Sequence, residues 1–412
     1  MVAQPRGTVR TGPAPWTDFL VVGGGIIGIN LALELKRRYA DCLVTLIEKE
    51  PSCGLHASGR NSGVVHAGFY YTPDSLKARF TREGNRRLTD YCQAAGLRLN
   101  RCGKLVVAKQ AADLAGLDEL LRRGRANGVP LDALSLEDAR RIEPRVKTYE
   151  RALFSPTTCA VNPAQVLESL ERDMRRAGIV VATGTAYLGR AGARVRTSAG
   201  PIAAGYVVNA AGLYADRIAR DYGFSQRYRI LPFKGLYLHA GPSGPRFRTH
   251  IYPVPDLRAP FLGVHVTVTA DGGAHIGPTA TPALWREHYR GLQNFRFAEC
   301  ADIVAREVKL WLRNDFDFRG LAMRELQKHS KRKLVAHAAE LAEGIRIEDF
   351  HRWGRPGIRA QLLDLRSGKL EMDFRHEGDD RSFHVLNAVS PAFTCAIPFC
   401  AHLVDQIAVL VA

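Results

Sequence analysis

The chain lacks a CxxC pair, an internal repeat, a low-complexity tract and any apolar run within its first sixteen residues. Each absence excludes something. Eight cysteines scattered singly through apolar segments argue against a zinc ribbon or a disulfide scaffold and point to reduced thiols in a cytoplasmic setting, with no metal expected. The opening "MVAQPRGTVRTGPAPW" is neither a secretory signal nor a membrane span, and its prolines make a poor transit helix. A flexible tail over residues 1–16 is the expectation. The densest basic run, "KHSKRK" at Lys328 to Lys333, has no interleaved aromatics, which puts nucleic acid behind a solvated helix face or contact with anionic lipid.

What is present is ample for large cores. With 412 residues and 46% hydrophobic content, the chain calls for two packed domains. Fifty-eight Lys+Arg against forty-one Asp+Glu leave a net charge of +17, suited to an anionic small substrate or membrane surface.

The strongest local signal is "DFLVVGGGIIGINLALEL" followed by "CLVTLIEKE". Phe19 to Val22 reads as a buried parallel strand and Ile26 onward as a helix, so Gly23, Gly25 and Gly28 fall on the strand-to-helix turn. Gly23 permits the tight turn, Gly25 lets backbone approach a pyrophosphate, and Gly28 allows close helix–strand packing. Ile26 and Ile27 then offer N–H donors at the helix start. Glu48, at the end of the next apolar run, stands where an acid accepts hydrogen bonds from a ribose. Together these predict a dinucleotide site. Its further wall is expected from Ser58, Asn61, Ser62, Gly63 and Val64 in "HASGRNSGVVHAG", with Lys49, Ala186, Ala211 and Gly212. Near the C-terminus, Ser390 reads as an N-cap and Pro391 as the first helical residue, giving a helix start with Ala392 that would stabilise negative charge on a flavin.

Several segments in order, "HASGRNSGVVHAGFYYTPDSLKARF", "RCGKLVVA", "LPFKGLYL", "IYPVPDLRAPFLGVH", "GIRAQ" and "NAVSPAFTCAIP", resemble the L-2-hydroxyglutarate oxidase/dehydrogenase family, a branch of the D-amino-acid-oxidase-like flavoenzymes. The likeness runs from Asp18 to Leu410, and "REHYR" at Arg286 to Arg290 keeps part of a further motif. It implies one FAD and an α/β fold: a Rossmann-like, glutathione-reductase-type FAD domain with an inserted α+β substrate domain containing a mixed sheet. The expected boundaries are 17–75, 152–225 and 351–412 for the FAD domain, and 76–151 and 226–350 for the substrate domain. The implied reaction is oxidation of L-2-hydroxyglutarate, or a close 2-hydroxy acid, to 2-oxoglutarate, with electrons passed to oxygen or a quinone. The protein is expected in the cytoplasm, with peripheral contact at the inner face of the membrane.

Such a reaction needs a base and cations for carboxylates. His66 is the first candidate base and His265 the second, because imidazole titrates near working pH. Arg359 in "GIRAQ" resembles the G-x-R position that clamps a substrate carboxylate; its planar fork donates two parallel hydrogen bonds. Tyr252, Lys77 and Lys234 are further candidates for substrate contact. Two alternatives stay open: an amino-acid or glycerol-3-phosphate dehydrogenase of the same superfamily, and a nucleotide-binding protein without turnover.

Overall fold

The computed structural model describes residues 15–257, 262–314, 317–328 and 330–411. The expected tail therefore lies outside the described residues as far as residue 14, and Trp16 already opens the first strand. That strand, Trp16–Val22, is central to a sheet and runs parallel to Val44–Ile47 on one side and Gly200–Asn209 on the other. Val180–Ala182 and Ser382–Asn387 extend the parallel array at its two edges. Both faces are covered, which is why Leu20 and Val21 are adjacent, apolar and fully buried. Helices Ile26–Arg38, Leu76–Ala94, Pro163–Arg176 and Ala392–Val411 share this core through Ile29, Phe80, Leu88, Met174, Phe399 and Leu403. The last of these helices is long and apolar enough to cross a bilayer, but Phe399, Leu403 and Ile407 are fully buried, so packing accounts for its apolarity.

A second sheet of eight strands forms the other body. Its only parallel pair among the described residues joins His250–Pro253 to Lys104–Val107, and its other neighbours are antiparallel. The fold expected from the sequence, a parallel nucleotide sheet with an inserted mixed sheet, is the fold observed.

The boundaries differ in three places, each for a packing reason. Helix Leu76–Ala94 was expected in the substrate domain, yet it buries Phe80, Leu88 and Cys92 in the nucleotide core. A Cβ on its Gly84 would lie 2.2 Å from the Thr394 carbonyl oxygen, so bare backbone is what lets the two helices meet. Strand Arg151–Ser155 pairs with Lys104–Val107, and Phe350–Trp353 pairs with Leu238–Ala240, so both belong to the mixed sheet. Between the bodies, Tyr228–Gly235 and Gly357–Asp364 form an antiparallel ladder that carries Arg359 opposite Phe233.

Candidate active site

One cavity of about 1270 Å³ runs from Gly23 and Gly25 to Arg359 and Thr394. That exceeds the roughly 300–1,000 Å³ that serves a drug-sized ligand, leaving room for a dinucleotide and a second molecule. At its nucleotide end the glycines behave as expected. Gly23 has φ 112°, and a Cβ there would sit 2.6 Å from the Ala210 carbonyl oxygen; on Gly28 it would sit 1.9 Å from that of Gly23. Gly25, Ile26 and Ile27 line the cavity, and the Ile26 N–H donates to Ser58 Oγ at 2.9 Å. Glu48 also lines it, its carboxylate accepting the N–H groups of Gly24 (2.7 Å) and Glu50 (2.9 Å). A helix start with bare backbone, a hydroxyl beside it and a fixed acid on the next strand fits a dinucleotide phosphate and ribose.

Ser62, Val64, Ala186, Ala211 and Gly212 complete the wall. Asn61 stabilises its own turn, donating to the Ser58 carbonyl at 2.6 Å and accepting the Gly63 N–H at 2.9 Å. Gly63 does not line the cavity: its φ is 72°, and a Cβ would lie 2.3 Å from the Val161 carbonyl oxygen, so it serves strand packing. Ser390, Pro391 and Ala392 do line it. The helix, however, starts at Ala392, and the Pro391 carbonyl accepts the Cys395 N–H at 3.1 Å, so Ser390 is not its cap and Pro391 is not within it.

The "REHYR" segment has a role that its sequence alone did not disclose. Fully buried Arg286 makes a two-pronged pair with Asp216 (2.7 and 2.9 Å) and also donates to the Leu213 carbonyl. Glu287 pairs with Lys49 at 2.7 Å and accepts from Tyr214 at 2.9 Å, while Tyr289 meets His56 at 2.6 Å and lies under the Arg60 guanidinium. Burial alone would lower the Lys49 ammonium, but Glu287 and Glu50 raise it. These contacts fasten an inserted segment over the nucleotide end. Glu50, His56 and Glu287 converge closely enough to hold a metal ion, yet Lys49 already bridges the two carboxylates.

At the other end, His66 lines the cavity with its backbone fixed: its N–H donates to Thr394 Oγ1 at 3.1 Å and its carbonyl accepts from Asn85 at 3.2 Å. Behind it stands Lys104, the lysine of "RCGKLVVA". Lys104 is fully buried, its Nζ 3.4 Å from His66 Nδ1 and 4.3 Å from the Tyr252 ring centroid. Among the described residues no carboxylate pairs with it, and burial lowers its pKa to about 7. Burial, with Lys104 and His250 nearby, also holds His66 well below the usual imidazole range. His265 and Tyr252 both line the cavity, stacked 3.7 Å apart, and His265 Nδ1 lies 3.1 Å from the Gly263 carbonyl.

Arg359 and Lys77 form a cationic wall of the same cavity. Arg359 donates to the Ser390 carbonyl at 3.4 Å, and burial lowers its pKa to about 10, leaving it charged at neutral pH. Lys77 is lowered to about 7, first by burial and then by Arg359. Asp373, the nearby acid, accepts the N–H groups of Leu76, Lys77 and Phe374, so its charge is held by backbone. Lys234 does not line the cavity. Its strand neighbours Phe233 and Gly235 do, and strand alternation turns Lys234 to the other side.

Residues 18–406 match the model of the family described as FAD dependent oxidoreductase. L-2-hydroxyglutarate dehydrogenase of Escherichia coli K12 is 34% identical over 406 residues, covering 96% of this chain and 94% of that protein. The human mitochondrial L-2-hydroxyglutarate dehydrogenase is 36% identical over 433 residues, covering 98% and 92%. Among solved structures, L-alpha-glycerophosphate oxidase from Mycoplasma pneumoniae with FAD bound superposes with a TM-score of 0.77 at 22% identity, covering 95% of each chain. Glycine oxidase from Geobacillus kaustophilus gives 0.69 at 19%, covering 95% and 94%. FAD is thus the dinucleotide that the cradle takes, and the chain belongs to the FAD dependent oxidoreductase family.

Proposed function

We propose that this protein oxidises L-2-hydroxyglutarate to 2-oxoglutarate, with oxygen or a quinone as final acceptor. The observation that carries the reading is the meeting of half-buried Arg359 and buried Lys77 with the buried His66–Lys104 couple in one cavity continuous with the nucleotide cradle. A substrate with two carboxylates and one hydroxyl uses all of these groups. Bound FAD supplies the hydride acceptor. Arg359 binds the carboxylate beside the reacting carbon through its fork, and Lys77 holds the distal one. His66 takes the hydroxyl proton on Nε2. Lys104 sets that tautomer: as a neutral amine it accepts Nδ1–H and leaves Nε2 with a lone pair, whereas as an ammonium it would donate to Nδ1 and place hydrogen on Nε2. Burial without a carboxylate partner favours the neutral amine.

Anaerobic bleaching of the yellow protein by L-2-hydroxyglutarate, against a panel with glycerol 3-phosphate, glycine and L-proline, tests the reading. Bleaching by a panel member and not by the hydroxy acid would replace it. The high positive charge supports peripheral contact with the inner face of a membrane, and sedimentation with membranes should then fall with added salt.

The nucleotide cradle carries its own prediction. Gly25→Val should abolish FAD retention, because a branched side chain beside Ser58 would fill the space of the pyrophosphate, while Glu48→Ala should weaken FAD more mildly. Absorbance of the purified variants at the flavin band checks both.

A second prediction concerns pH. Both lysines are protonated below about 7 and neutral above it. Lys77 is needed charged and Lys104 neutral, so kcat/KM should be bell-shaped about neutrality. Lys77→Met should remove the alkaline fall and Lys104→Met the acid one; profiles of both variants that keep the wild-type shape would refute the assignment.

A further inference from the structure

The mixed sheet has two unlike faces. On one, Leu105, Ile251, Val266, Ile276 and Leu238 follow one another from strand to strand inside an apolar core. The residue next to each of them in sequence points to the other face, and there the row is polar. Lys104 stands opposite His250, His250 opposite Thr267, Thr267 opposite His275, His275 opposite His239, and His239 opposite exposed Arg352. Neighbouring strands lie about 4.8 Å apart, so successive side chains of the row reach one another directly or across one water. The row begins at the amine beside His66 and ends at solvent. Lys104, His250, Thr267 and His275 are buried and His239 is half-buried, yet none of the five lines the cavity. They run behind its wall.

Polar groups inside a sheet are costly unless paired, and this row pairs them unevenly. His250 is held in place: its Nδ1 accepts the Val268 N–H at 3.0 Å and its Nε2 meets Cys102 Sγ at 3.3 Å. His275 is not, since neither of its ring nitrogens has a hydrogen-bond partner among the described residues, and its ring centroid lies 5.2 Å from that of His239. A buried imidazole whose donor and acceptor no protein group claims takes internal water, and it can accept a proton on one nitrogen while releasing one from the other. Burial holds its pKa at about 3, so it passes a proton on without keeping it. Tyr252 spans the interval between Lys104 and Thr267: Lys104 Nζ lies 4.3 Å from its ring centroid, and its hydroxyl is set against Thr267.

We propose that this row is a proton path from Lys104 to solvent, by way of Tyr252, Thr267, His275 and His239, used while cofactor and substrate fill the cavity. The inference rests on the proposed reaction and deepens it. Oxidising the alcohol sets free a hydride, which goes to FAD, and a proton, which His66 takes on Nε2. His66 then gives its Nδ1 hydrogen to the Lys104 amine, 3.4 Å away, and the row carries that proton out. When oxygen or a quinone takes the two electrons it also takes two protons, one from the cofactor and one from His66 Nε2. A proton entering by the row restores hydrogen to Nδ1, and His66 regains the tautomer with which it began.

The test follows protons separately from electrons. The FAD-loaded protein is mixed anaerobically with L-2-hydroxyglutarate in weak buffer, and flavin bleaching is recorded beside the colour of a pH-indicator dye. In the native protein a proton should reach solvent in step with bleaching. In His275→Phe and in His239→Phe bleaching should stay near the native rate while proton release lags it by about tenfold or more. A merely structural role would slow both signals together, so the lag is the mark of the path. If His275→Phe holds no FAD, His239→Phe at the half-buried end decides. Proton release in step with bleaching in the variants, or none from the native protein, would overturn the proposal. A native protein that the hydroxy acid fails to bleach would instead overturn the proposed substrate, and the same measurement would be made with the panel member that does bleach it.

Discussion

His66→Ala should slow anaerobic flavin reduction by L-2-hydroxyglutarate by about 100-fold or more, the usual effect of losing a general base, while FAD stays bound. Retention is expected because the position is fixed by backbone: Thr394 and Asn85 hold the N–H and carbonyl whatever the side chain. The imidazole is neutral in the resting site, since burial keeps its pKa well below the usual value. A dianionic substrate raises the proton affinity of a nearby base, so binding itself readies the group to accept. Lys104→Met separates the positioning role from the base. It should leave FAD and KM near native, lower kcat, and remove the acid limb of the pH profile, because His66 can no longer be switched to the wrong tautomer by an ammonium. A native reduction rate in His66→Ala would move the role to His265, which lines the same cavity against Tyr252.

Arg359→Lys should lower kcat/KM by roughly 10- to 100-fold, in the range of a lost charge-assisted hydrogen bond, with changes in both KM and kcat. The charge is kept, so a simple attraction of anions would survive the change. What goes is the planar fork, and with it the angle at which the substrate's C–H bond is presented. The strand geometry makes the test clean: Arg359 sits in a regular ladder opposite Phe233, and its guanidinium donates to Ser390 on the turn that opens the last helix. Steady-state kinetics on a protein that remains yellow would check it. An unchanged KM would mean that Lys77 alone holds the substrate.

The nucleotide half was largely legible before the fold was known, because its signals are local. A glycine that needs φ 112° and a helix packed against a strand at backbone distance leave marks within a few residues of one another. Lys104 was not legible. It lies on a strand reading KLVV, where a lysine looks like a solvent-facing residue, and only the packing of Phe69, Tyr70 and Tyr252 around its Nζ shows it to be interior. Lys234 failed for the converse reason. Its two neighbours face the cavity, and a strand's period of two sends it away, a register that depends on the partner strand Gly357–Asp364. Ser390 reads as a cap by composition, but hydrogen bonding starts the helix two residues on. The domain boundaries erred where an amphipathic helix, Leu76–Ala94, could have served either core.

The manner in which His66 is held has a consequence for how the protein comes to be made. Its amide rests on Thr394, 328 positions later in the chain, and Asp373 accepts the first amides of the helix that begins at Leu76. On a ribosome releasing chain from its N-terminus, the glycine turn emerges long before the residues that close the opposite wall. Contacts of such separation form late, since closing long loops precedes any reward from them. Cofactor loading is thus an event of the finished polypeptide, and the nascent one must keep its half-built cleft from aggregation until the final helix arrives.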